Sequence, residues 1–288
     1  MLRPLLSSLL KRLTDAGVPN AKQEAGWLAC HALGLSSAEL MARPDMELTS
    51  EQAERLDALF QCRAEGEPLQ YIIGDAPFFG RDFNVGAGVL IPRHDTETLI
   101  SAVKSVLPKE AAFGFMDWGT GSGCIAITLL LEFPKSTAIM AEKSQSAIEY
   151  ARLNLERYGL ENRAVLMNTK TPDDIRLNSR LEIVISNPPY IPTDEIPTLM
   201  REVRDYEPHE ALDGGADGLD CYRALFRRSP YWLKPGGLLF LENGSAAQSE
   251  AMRSQVFKRR FNRKGLTFIR EFSDDAGVPR CSLWKNGK

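Results

Sequence analysis

"FGFMDWGTGSGCIAITLLLEF" occupies residues 113–133. Its first part reads as a short apolar strand ending in a glycine-rich turn. Gly119, Gly121 and Gly123 fall within five residues, and the apolar stretch from Cys124 reads as a helix. The same alternation continues downstream. "STAIMAE" (136–142), "RAVLMN" (163–168), "LEIVIS" (181–186) and "GGLLFLEN" (236–243) read as strands. "SAIEYARLNLERYG" (146–159), "GLDCYRALFRRSPYWL" (218–233) and "AQSEAMRSQVFKR" (247–259) read as helices. Strands alternating with helices predict an α/β fold with a parallel, doubly wound sheet.

Upstream the pattern differs. Leu2, Leu5, Leu6, Leu9, Leu10 and Leu13 recur at helical spacing, and so do Ala25, Leu28, Ala29, Ala32 and Leu35. "TSEQAERLDALFQCRAEG" (49–66) opens with Thr49 three residues before Gln52, a capping-box pattern. Residues 1–75 are therefore expected to form a small helical bundle. "PFFGRDFNVG" (77–86) reads as a hairpin, so residues 76–95 are expected to be a hinge and 96–288 a catalytic domain. Thr96 is expected in the cap region of the helix that follows.

The 288 residues carry a net charge of −3. No global basic field draws the chain to nucleic acid. The cluster Lys258, Arg259, Arg260, Arg263 and Lys264 reads as a solvated helix face. Five widely spaced cysteines without C-x-x-C fit a reduced cytoplasmic protein, and three scattered histidines give no metal constellation. No apolar run is long enough to span a bilayer.

Two stretches carry chemistry. In "DWGTGSGCIAI" (117–127), Gly119, Thr120, Gly121, Ser122 and Gly123 let backbone approach a ligand at a helix N-terminus. Glu142 ends the next strand, about 20 residues on, where an acid binds ribose hydroxyls. Asp117 would sit badly beside a pyrophosphate. A ligand with a cationic centre and an amino group, such as S-adenosylmethionine, suits this acidic loop better. In "VISNPPYIP" (184–192), an apolar strand ends in Asn187, Pro188, Pro189 and Tyr190. The Asn187 carbonyl oxygen, the Pro188 backbone carbonyl and the Tyr190 ring describe a clamp for a planar –NH2 group. Both stretches end strands, so both face one crevice.

In this order the two stretches resemble the S-adenosylmethionine-dependent amino-methyltransferases, of which "NPPY" is the signature. "PLQYIIGDAPFFGRDFNVGAGVLIPRHDTETLI" (68–100) and "EVRDYEPHEALDGGADGLDCYRAL" (202–225) are similar to the glutamine methyltransferases that act on peptide-chain release factors, the HemK/PrmC group. The resemblance implies a Rossmann-like catalytic sheet with a small N-terminal helical bundle that docks the substrate. It implies S-adenosylmethionine as cofactor, held by Asp117, the 119–123 loop, Glu142, Asn168 and Asn187. It implies a class I release factor as protein substrate, its Gly-Gly-Gln glutamine held by Asn187, Pro188, Pro189 and Tyr190. Phe79, Arg93 and Glu97 are expected to shape the pocket. The expected protein is a monomer with no stable nucleic-acid or membrane partner and no metal.

The sequence departs from that group in three places. Position 142 is Glu where Asp is more usual. "MNTKTPDD" (167–174) lacks an acid-plus-bulky pair, so Asn168 is expected to substitute. Asn243 stands where an apolar residue or histidine is common. Two other readings remain at this point. One is an amino-methyltransferase acting on a ribosomal protein or a nucleic-acid base. The other is a non-catalytic binding scaffold.

Overall fold

The computed structural model describes residues 1–262 and 265–287. The chain divides into two compact units, Met1–Asp75 with Met200–Tyr206, and Ala76–Leu199 with Glu207–Lys288.

The first unit contains α1 (Leu2–Asp15), α2 (Ala21–Leu33), α3 (Ser37–Ala42), α4 (Ser50–Ala64) and α5 (Leu69–Ile73). Its core takes Leu9 and Leu13 from α1, Leu28 and Ala29 from α2, and Leu56 and Phe60 from α4. These are the positions that helical spacing puts on one face. Each large side chain so buried is worth roughly 1.5–3 kcal/mol. The Thr49 hydroxyl accepts from Gln52 N while Gln52 accepts from Thr49 N, which closes the capping box that starts α4. Arg63 is 4% exposed. Its guanidinium meets Glu24 at 2.6 Å and Glu202 at 2.8 Å, the latter from residues 200–206.

The second unit begins with the hairpin β1 (Asp75–Phe78) and β2 (Arg81–Asn84), turned at Phe79 and Gly80. Then follow α6 (Glu97–Val106), β3 (Gly114–Trp118), α7 (Cys124–Glu132), β4 (Thr137–Glu142), α8 (Gln145–Tyr158), β5 (Ala164–Asn168) and β6 (Leu181–Ser186). Helix α9 (Arg201–Tyr206) belongs to the first unit. After it come α10 (Asp220–Trp232), β7 (Leu233–Glu242), α11 (Ala246–Arg253), α12 (Gln255–Phe261), β8 (Leu266–Ser273) and β9 (Pro279–Asn286).

The sheet has seven strands in the order β5-β4-β3-β6-β7-β9-β8. The five strands read from the sequence, β3 to β7, are mutually parallel, and β9 runs antiparallel to both β7 and β8. One core packs α6 and α7 with the sheet through residues such as Leu99, Ile127 and Phe240. A second packs α10 and α12 with it through Tyr222, Phe226, Phe257 and Trp284. The predicted helix 247–259 is two helices. They break at Ser254, whose hydroxyl caps α12 by accepting from Phe257 N. Of the basic cluster, Lys258, Arg259 and Arg260 lie in the last turn of α12, and Arg263 and Lys264 lie outside the described residues. No helix among the described residues is long and apolar enough to cross a membrane.

Candidate active site

The strand order reverses between β3 and β6, which pair from Phe115↔Ile183 to Asp117↔Ile185. Chain connections leave this point in opposite directions, so the strand ends open into a crevice. The glycine loop leaves β3 here and the Asn-Pro-Pro-Tyr loop leaves β6 beside it. The Ser186 hydroxyl donates to Trp118 O at 2.6 Å and ties the two exits together.

A cavity of about 320 Å³ fills the crevice, a size in the range of small-molecule sites. Gly119, Thr120, Gly121, Ser122, Glu142, Asn187, Pro189 and Arg93 all line it. The turn requires its glycines. Gly123 has φ +83°, and a Cβ there would lie 2.7 Å from Met140 Cε. Gly121 has φ +57°. The Glu142 carboxylate braces this turn. Oε2 accepts from Gly121 N at 2.9 Å, and Oε1 accepts from Lys143 N and Ser144 N.

Asp117 lies beneath the loop and does not line the cavity. It is fully buried, and its Oδ2 accepts from the Thr120 hydroxyl at 2.6 Å. Oδ1 has no hydrogen-bond partner. Burial pushes its carboxyl up to about 7, and nearby Glu142 adds to the rise. A glycine turn braced by the cavity-lining carboxylate of Glu142 fits a ligand with hydroxyl or cationic groups better than a pyrophosphate.

On the second loop, Asn187 Nδ2 donates to Thr96 Oγ1 at 3.0 Å. Thr96 precedes α6 yet makes no side-chain cap, because its backbone is already helical (φ −64°, ψ −21°), and its hydroxyl is left to serve Asn187. Tyr190 leaves the cavity wall. Its hydroxyl donates to Glu242 Oε1 at 3.3 Å, and its ring sits against Gly244. Burial and Glu242 raise its pKa. Gln248 Nε2 donates to Tyr190 O at 2.7 Å. Ile191 bridges Asp213. The loop is thus held by "DGGADG" on one side and "LENGSAAQ" on the other.

Other expected residues lie elsewhere. Phe79 and Glu97 are paired with each other, Phe79 N donating to Glu97 Oε1 at 2.8 Å, and neither lines the cavity. The Phe79 ring packs under Lys104 and Arg81. Asn168 is exposed at the end of β5, where Nδ2 donates to Gln145 Oε1. The wall beyond β5 comes instead from Thr169, Lys170, Thr171 and Pro172. Arg93 does line the cavity and is pinned by the buried Glu207. Glu207 also accepts from Ile91 N at 3.1 Å. Sequence reading missed Thr171, Glu207 and Cys221, which sit in loops or at a helix start without periodicity.

Comparisons with known proteins agree with this architecture. Residues 5–74 match the PrmC N-terminal domain, and residues 95–202 match the methyltransferase small domain. A solved methyltransferase from Pyrococcus furiosus is similar in fold, with a TM-score of 0.50 at 18% identity, covering 73% of this chain and 91% of that one. The release factor glutamine methyltransferase of Geobacter sulfurreducens is 40% identical over 268 residues, 93% of this chain and 90% of the relative. That of Koribacter versatilis is 38% identical over 243 residues, 84% of this chain and 86% of the relative. With such identity along nearly the whole of both chains, this protein belongs to the release factor glutamine methyltransferase family.

Proposed function

We propose that the chain methylates the side-chain amide nitrogen of a glutamine in a peptide-chain release factor, and that this is the glutamine of the Gly-Gly-Gln loop of class I factors. When bound, S-adenosylmethionine supplies the methyl group. The glycine turn and Glu142, which line the cavity, would hold its ribose and amino-acid portions.

An amide nitrogen is a poor nucleophile because its lone pair is delocalised into the carbonyl. Holding it in line with the methyl removes several kcal/mol of barrier. The observation that carries this reading is Asn187. Its Nδ2 is committed to Thr96, so Oδ1 remains as the acceptor at the cavity wall. Asn187 Oδ1 accepts one N–H bond of the substrate amide, and the carbonyl of Pro188, itself buried and outside the cavity lining, is the acceptor proposed for the other, both favouring charge developing on nitrogen. The stiff Pro188-Pro189 backbone fixes their spacing. No strong base is required, because methyl transfer leaves the amide nitrogen cationic, and that cation gives up one proton readily to water to leave the neutral N-methyl amide. The reaction fits a monomer working in the cytoplasm, where the five thiols stay reduced.

Mass spectrometry of a purified release factor after incubation with the protein and S-adenosylmethionine tests the reading. One added methyl on the Gly-Gly-Gln glutamine is expected. Methylation of ribosomal protein or RNA, with the release factor unchanged, would overturn it.

A further inference from the structure

The Asn187 carboxamide can sit in its socket in two ways, and only one offers the cavity an acceptor. In the observed one, Nδ2 donates to Thr96 Oγ1 at 3.0 Å. The reverse would turn Nδ2 to the cavity and let Oδ1 accept from the Thr96 hydroxyl. A threonine hydroxyl donates once and accepts twice, so it can serve either orientation. The position of its one hydrogen decides between them.

Thr96 is 2% exposed, and Glu242, 1% exposed at the end of β7, is a side-chain hydrogen-bonding neighbour of its hydroxyl. Glu242 Oε1 takes the Tyr190 hydroxyl, while Oε2 has no hydrogen-bond partner. Thr96 is the side chain that most favours the ionised form of Glu242. A carboxylate oxygen without a partner in a dry setting is costly, and a neighbouring hydroxyl hydrogen is drawn to it.

We propose that Thr96 and Glu242 are positioning residues for Asn187. The Glu242 carboxylate claims the Thr96 hydroxyl hydrogen, Thr96 can then only accept, and Asn187 is left with Oδ1 toward the cavity. This rests on the reading of Asn187 as the acceptor for the substrate amide.

The arrangement carries a pH signature. Burial lifts the Glu242 carboxyl to about 7, with Asp95 pushing the same way and Arg280 opposing. The other titratable groups against it are Tyr190, Tyr222 of α10, Cys124 of α7 and Cys281 of β9, all raised by burial and neutral near pH 7. The Tyr222 hydroxyl donates to the Glu242 backbone carbonyl, not to its carboxylate. Once protonated, Glu242 no longer claims the Thr96 hydrogen, and that hydrogen is free to donate to Asn187 Oδ1. Turnover is therefore expected to fall as the pH drops through about 7.

The test uses the full chain with Thr96→Val, Thr96→Ser, Glu242→Gln, Asn187→Ala and the Asn187→Ala/Thr96→Val double variant. It measures kcat and KM with release factor across pH, and S-adenosylmethionine affinity by calorimetry. Thr96→Val is expected to lose about tenfold or more in kcat, with KM and cofactor affinity within about twofold, the scale of one hydrogen bond. Thr96→Ser is expected to restore kcat to within about threefold of wild type. The double variant is expected to be no slower than Asn187→Ala alone. The acid limb of kcat is expected in wild type and Thr96→Ser and not in Thr96→Val or Glu242→Gln. If Thr96→Val turned over at the wild-type rate while Asn187→Ala was impaired, this proposal alone would fall. The same holds if Thr96→Ser was as slow as Thr96→Val, which would assign Thr96 to packing. If Asn187→Ala itself turned over normally, the reading beneath the proposal would fall with it.

Discussion

Glu142 engages both carboxylate oxygens with backbone N–H groups of its own surroundings. Oε1 already accepts two of these bonds, but Oε2 accepts only one and keeps a lone pair for a ribose hydroxyl, so the side chain can brace the glycine turn and hold a ligand together. Glu142→Ala is expected to weaken S-adenosylmethionine by roughly 1.5–3 kcal/mol, the value of a charged hydrogen bond, with a smaller effect on kcat. Calorimetric titration checks this, and unchanged affinity would restrict Glu142 to bracing. Glu242 gives a second expectation at this scale, on stability. Its carboxyl is raised from an ordinary 4.5 to about 7 in the folded chain, mainly by burial. The folded state then holds a proton that the unfolded state has released. The associated stability is fully present below about 4.5 and is lost as the pH rises through about 7. The loss is on the order of 3 kcal/mol. Urea melts at a series of pH values should show wild type losing stability relative to Glu242→Gln across that window and no further above it. Parallel curves would mean that the carboxyl keeps an ordinary pKa when folded.

At the scale of elements, the five parallel strands were legible because each is a short apolar run bounded by turn residues, and buried strands need no other signal. The β8–β9 hairpin was not read. Its apolar residues are interrupted by charges such as Arg270 and Glu271, as suits an edge strand, so hydrophobicity alone understates it. The alternation in "LTFIREFS" and the "DDAG" turn before "PRCSLWKN" were the available signals. The glycine turn and the Asn-Pro-Pro-Tyr loop were legible for a similar reason, since residue types with fixed backbone consequences cluster there. The Thr169–Pro172 wall has no such residue pattern, and Asn168 was chosen from its place in sequence, one position before the chain reaches the cavity. Phe79 and Glu97 look like pocket residues in sequence because they flank the hinge, yet they satisfy each other. The loop after α9 offers a test. A Cβ at Gly214 would lie 2.7 Å from Tyr190 Cα and 2.8 Å from Gly218 Cα. Backbone cannot yield as a flexible side chain can, so Gly214→Ala should displace the Asn187–Tyr190 loop. We expect about 1–3 kcal/mol lower stability, the cost of overpacking, and a much larger proportional loss of kcat than of cofactor affinity. Wild-type kcat in a folded Gly214→Ala protein would show that the loop tolerates the shift.

For the whole molecule, the helical unit has an all-helical core and contributes nothing to the cavity lining, which comes from residues 88–224 of the second unit. Its suggested task is to grip the release factor, since one glutamine offers far less than the roughly 1,200 Å² of a specific interface. Trp27 on α2 is 46% exposed and Met41 on α3 is 78% exposed, both large apolar side chains in contact with solvent. Trp27→Asp with Met41→Asp should raise KM for the release factor by about tenfold, or 1.4 kcal/mol, with kcat at saturation unchanged. Equal KM values in steady-state assays would leave the helices with a purely structural task. Deleting residues 1–75 is a poorer probe, because α9 belongs to the same unit and would lose its partners. That assignment of α9 also orders events during synthesis. Arg63 is translated long before Glu202, and until then its buried guanidinium has Glu24 and the Glu67 carbonyl but lacks its second carboxylate. At about 5–20 residues per second, the ribosome leaves the helical unit unfinished for roughly ten seconds. Throughout that interval the nascent bundle lacks the Glu202 partner of Arg63 and carries an open face, a stretch in which it would be exposed to chaperones and proteases. Its last stabilising piece arrives only after the strand leading into Asn187 has emerged.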